Sequence, residues 1–167
     1  MSEQTILLKV LQFTTAELEC LLKTAIKLLY IDGIADITEW SIISLVPALL
    51  EIEQENASPE LKEQWQTKVA AVSKVIEEQD PDQAIGELQV HAAVTEPEKR
   101  ETFLIILFMV AFADNKLNRI ELNFIYNNIA RPWGLNVDNL VELITRHRES
   151  VAGADEIIQL LQSSTFF

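Results

Sequence analysis

Four carboxylates have the spacing of a divided cation site. Asp32 and Glu39 lie seven residues apart, and Asp114 and Glu121 repeat that spacing 82 residues later. Each Asp closes an apolar run, and each Glu follows a short polar turn. If the two turns face each other, the four carboxylates share a small volume. Their repulsion is then relieved by a divalent cation or by raised pKa values. All-oxygen ligation suits Ca²⁺, Mg²⁺ or Mn²⁺ better than zinc. An EF-hand loop is excluded, because its twelfth position needs Glu and holds Ile43 or Ile125 here.

A structural reading competes with the metal reading, and it treats the Glu and Asp positions differently. Glu39 and Glu121 fall three residues after Asp36 and Asn118, where a capping box places an acid. The helix dipole would favour each by roughly a few tenths of a kcal/mol. An Asp at the end of an apolar helix sits instead at the negative end of that dipole. Asp32 and Asp114 therefore need compensation from a turn amide, from a cation, or from Lys116 or Arg119. Capping accounts for the Glu pair without any ligand and accounts less well for the Asp pair.

Other chemistry is sparse. The formal charge of −13 over 167 residues opposes binding to a phosphate backbone and favours cations or a protein partner with a basic surface. Cys20 is the single cysteine, which leaves no disulfide framework and no thiolate cluster. Its neighbours Glu19 and Leu21 suit a packed side chain rather than a nucleophile. His91 and His147 form no ligand pair, and neither a glycine-rich phosphate loop nor a nucleophile elbow occurs. Arg146-His147-Arg148 reads as a solvated basic helix end. The N-terminus lacks a basic leader, and the most apolar run, Phe103 to Ala113, is eleven residues, too short to span a bilayer. These features predict a soluble cytoplasmic protein.

The elements that would hold the carboxylates are helices. Residues 5–12 are short and apolar, a small helix or a packed arm. Thr14-Thr15-Ala16-Glu17 has capping-box form and opens a helix to about Ile31, with Leu18, Leu21, Leu22, Ala25, Ile26 and Leu29 at helical spacing. Asp36 to Glu39 opens the next helix, which Pro47 should kink or divide near Ser44. Pro59, Pro81 and Pro97 mark three further starts. The helix after Pro97 carries Phe103 to Ala113, apolar on every side, which places it at the centre of the fold. Asn118 to Ala130 is expected as one helix ending at Arg131-Pro132-Trp133-Gly134. Asn136 or Asp138 caps another, and Asp155 opens the last. No segment alternates as a strand does. The expectation is one all-α domain over residues 1–167 with seven or eight helices.

The 82-residue offset also matches Leu22, Ile43 and Ala48 with Leu104, Ile125 and Ala130. It implies two helical-hairpin repeats, about residues 15–56 and 97–131, related by a pseudo-twofold axis around the central apolar helix. At Ala111-Phe112-Ala113-Asp114-Asn115-Lys116-Leu117-Asn118-Arg119-Ile120-Glu121 the chain resembles the TerB family of tellurite-resistance and stress-response proteins. That family carries Ala-x-Ala-Asp-Gly-x-Leu-x-x-x-Glu between two helices. Asn115 stands where the pattern has Gly. The first copy keeps Asp32-Gly33 and Glu39 but has Tyr30 and Ala35 at two pattern positions. The resemblance covers the architecture of about residues 15–148 and two short windows of residues. It implies an internally symmetric helical fold whose clustered acids, by position Asp32, Glu39, Asp114 and Glu121, bind metal ions. It also implies a link to tellurite or stress responses, and the expectation is a non-enzymatic accessory or sensing protein. The alternative is a helical protein–protein adaptor with purely structural turns. A metal-assisted hydrolase would further require a roomy pocket beside Asp32 and Asp114.

Overall fold

Helix α1 (Thr15–Tyr30) starts where its capping box requires. The Glu17 amide donates to Thr14 Oγ1 at 3.1 Å, and the Thr14 amide donates back to Glu17 Oε1 at 2.8 Å. The computed structural model describes residues 9, 12–30, 59–77, 93–111, 119–149, 151 and 153–163. Along α1, Leu18, Leu21, Leu22, Ala25 and Leu28 are buried as one stripe, with Phe13 beneath the helix start. Cys20 is half-buried against the same core, as its neighbours predicted. Helix α2 (Pro59–Glu77) begins on its proline and packs on α1, with Val72 buried.

Helix α3 (Pro97–Ala111) occupies the centre. No side chain from Phe103 to Phe108 is more than 1% exposed. Six consecutive residues cover more than one full turn, so α3 is enclosed from every direction. It packs on α1 and on later elements that include α4 (Arg119–Phe124), a π-helical turn (Ile125–Ala130) and α5 (Val137–Arg146). Buried Thr24 and Thr102 return their hydroxyl protons to the carbonyls of Cys20 and Glu98, at 2.7 and 3.1 Å. The apolar interior therefore holds no unmet hydroxyl at those two places.

The expected single helix from Asn118 to Ala130 needs correction. Its described part is α-helical only to Phe124, then winds in the wider π form. In i→i+5 winding Ile125 and Ala130 stand one turn apart, and both are fully buried. The wider turn thus keeps two core residues facing inward that α winding would separate. A 3₁₀ turn (Arg131–Trp133) follows, and Gly134 at φ 79° reverses the chain. Leu135 N–H then closes on the Ala130 carbonyl at 3.0 Å, a terminator that a left-handed residue makes available.

Asn136 caps α5, and not Asp138. Its side chain accepts the Asn139 amide at 2.8 Å, and the Asn139 side chain accepts the Asn136 amide at 2.9 Å. Helix α6 (Ala154–Gln162) begins after Gly153 at φ 72°, and Asp155 lies in its first turn without capping it. The described residues are helical and turn-like with no strand, and they contain six α-helices where seven or eight were expected. The expected helices from Asp36 and from Asp80, and most of the arm at 5–12, lie outside the described residues. Among the described residues, no helix is long and apolar enough to cross a membrane.

Leu104 should be among the costliest side chains to shorten. Leu104→Ala is expected to lower unfolding free energy by about 2–5 kcal/mol. Ile120→Ala, at a side chain 51% exposed, should stay within about 0.5 kcal/mol of the parent. Urea titration followed by far-ultraviolet circular dichroism measures both.

Candidate functional site

Of the four expected ligands, Glu121 alone falls within the described residues, and Asp32, Glu39 and Asp114 lie outside them. Glu121 occupies the first turn of α4 and is 7% exposed, between exposed Ile120 and buried Leu122. It is partnered in the fold. A carboxylate buried in a first turn is favoured by the amide dipoles there, as the capping reading expects. Among the described residues, no three His, Cys, Asp or Glu side chains come together in a group able to hold a metal ion.

The polar cluster that the described residues do form lies where α1, α2 and α3 meet. Lys99 Nζ donates to Glu17 Oε1 at 2.8 Å, joining the first turns of α1 and α3. Lys68 of α2 donates to the Phe13 carbonyl just ahead of α1. Burial pushes the Glu17 carboxyl up, but hydrogen bonds from Lys99 and Thr14 outweigh it and hold the group below its usual 4.5. The same bond raises Lys99, while burial and the nearby Lys99 charge lower Lys68. The Lys99 ammonium already balances the Glu17 charge, and the Lys68 ammonium adds a second positive charge to the cluster. The cluster is a three-helix clamp. A groove of about 510 Å³ beside it is lined by Glu60, Glu63, Gln64, Thr67 and Lys68, one stripe along α2.

The first turns of α3 carry three charged side chains in a row, each engaging a different neighbour. Lys99 reaches α1. Arg100 Nε donates to the Val94 carbonyl at 2.8 Å, and its guanidinium lies 5.0 Å from the centre of the Trp133 ring. Trp133 meets Phe103 edge to face at 5.6 Å and belongs to the core. Glu101 receives both arms of Arg146 from α5, at 3.1 and 3.3 Å. Successive helical residues are turned by about 100°, so consecutive charges can pin three directions at once.

The basic end expected at Arg146-His147-Arg148 is solvated at both arginines and corrected at the histidine between them. Arg146 is tied to Glu101 and Arg148 to Asp155, while His147 between them is buried. Adjacent helical positions face different ways, so charged flanks say little about the residue they enclose. The Thr14–Glu17 half of the clamp was visible as a capping box. Its Lys99 half was signalled only by the 82-residue offset, which separates the two partners. Nothing local points to Lys68.

Two outcomes follow from these contacts. Glu17 has a depressed folded pKa, so its charged form stabilises the fold above pH 4.5, and this stabilisation is lost as pH falls through the lower folded value. The difference in urea midpoint between the parent and Glu17→Gln should therefore be largest near neutrality and close as pH falls below 4.5 through the lower folded value. Replacing Lys99, Arg100 and Glu101 together by Gln should retain the far-ultraviolet helix signal but lose near-ultraviolet ellipticity and admit a hydrophobic dye, because packing loses its orientation while burial persists. Compared with protein-family models, curated proteins and solved structures, the chain matches none.

Proposed function

We propose that this protein is a non-enzymatic, TerB-like accessory or sensing module of the tellurite-resistance and stress type, with a divalent-cation site made by Asp32, Glu39, Asp114 and Glu121. The carrying observation is one of register. Helices α1 and α3 begin at Thr15 and Pro97, 82 residues apart, the offset that separates Glu17 from Lys99 and that matches Asp32 with Asp114 and Glu39 with Glu121. Equivalent amides close the two first turns, Leu18 to Thr14 and Arg100 to Glu96, each at 2.9 Å. Direct contact between equivalent residues supports a pseudo-twofold axis passing near the Glu17–Lys99 pair, with two related hairpins arranged about it. A net charge of −13 favours a cation as the occupant.

The burial of Glu121 in a first turn favours the second reading, a helical adaptor for a partner with a basic surface, whose acidic turns only cap helices. Thermal melting with Ca²⁺, Mg²⁺ or Mn²⁺ separates the two. A bound cation at a hundredfold excess over its Kd should add about 2.7 kcal/mol of stability. Asp32→Asn and Asp114→Asn should each abolish that gain without unfolding the apo protein. If millimolar levels of all three cations leave the melting temperature unmoved, the adaptor reading replaces the metal reading.

A further inference from the structure

His147 is the one buried histidine among the described residues, 7% exposed, and it sits where α5 turns toward α6. Its carbonyl accepts the Val151 amide at 3.1 Å, and its own amide closes the last turn of α5 on Leu143 and Ile144, both at 3.2 Å. The residue is thus built into the corner joining the two helices. The two helices and their connection bury Leu140, Leu143, Ile144, Val151, Ile157 and Leu161.

The charges around the ring are arranged against a second proton. The charges of Lys9, ahead of α1, and of Arg146, at the preceding position of α5, both disfavour a charged ring. Glu101 of α3 is the opposing carboxylate, but both its oxygens are engaged by Arg146. From α6, Asp155 is bonded to Arg148, and both Asp155 and Glu156 are exposed. We infer that His147 is an acid-operated latch, whose protonation loosens the α5–α6 corner from the body and uncovers the apolar faces of those two helices. Burial first, and then the Lys9 and Arg146 charges, hold the ring below its usual 6.5 while the corner is closed. An opened corner returns the ring to water, so protons favour opening as pH falls below 6.5. This device is independent of the proposed cation site.

Hydrogen exchange of the full chain at pH 7.5 and 5.5, corrected for intrinsic amide rates, tests it. One linked proton should raise the opening equilibrium between those values, by at most about tenfold. Amides of residues 147–162 should lose that much protection, those of Phe103 to Phe108 should keep theirs, and the change should reverse on neutralisation. His147→Gln should abolish the pH difference. Should that variant fail to fold, Arg146→Gln supplies a second measure: with one cation removed, the closed corner tolerates the charged ring better, and the pH-dependent loss should shrink below that of the parent. Equal protection of the parent at both pH values overturns the latch, as does an undiminished acid response in either variant.

Discussion

A helix with no polar face forces the rest of this chain to surround it. Burying the six side chains from Phe103 to Phe108 is worth about 1.5–3 kcal/mol each, and that gain requires neighbours on all sides. Helix α1 covers one side of α3, while α4, the π turn and α5 cover others. The short α4 and the π turn have too few residues to hold helical form alone. They persist because their buried residues complete the enclosure.

Burial of this kind is strong but carries little direction. An apolar cylinder can rotate about its axis among apolar neighbours with little change in buried area. Orientation comes from the polar first turns. Lys99, Arg100 and Glu101 reach α1, Trp133 and α5 respectively, and each bond is satisfied at one rotation of α3. Exposed ion pairs such as Glu101–Arg146 contribute little stability. Here their value is geometric, because they select one packing among several of similar energy.

This division of labour explains which features could be read along the chain. Capping at Thr14–Glu17 and the central place of α3 are local properties of spacing and composition, and both were legible. The π turn was not, since Ile125, Ile129 and Ala130 fit an apolar stripe in either winding, and the choice belongs to the tertiary packing. The burial of His147 was hidden by the charges beside it, which point elsewhere. Lys99–Glu17 required two distant segments to be brought together, and only the internal offset hinted at it. Of the expected site, the first-turn position of Glu121 was legible and its burial was not. Asp32, Glu39 and Asp114 remain statements of spacing.

Charge accounting bears on the proposed site from another direction. Of the described cations, Lys68, Lys99, Arg100 and Arg146 hold the helices together. Lys27 lies over the Phe124 ring, and Arg131 faces Tyr126 and Asn127. Thirteen cations stand against twenty-six acids, and several of the described cations are committed to internal contacts, which leaves an acidic excess in the net charge. That excess raises the local concentration of cations around every exposed carboxylate. Such a field is not a site, because selective binding also needs oxygens held at fixed distances. The paired first turns of α1 and α3 are ordered by reciprocal capping, by Pro97 and by the Glu17–Lys99 bond, each acting at the N-terminal end. A rigid helix carries that order to its far end, and the far ends are where Asp32 and Asp114 follow in sequence. The proposed site would therefore draw affinity from the acidic excess and geometry from the clamp.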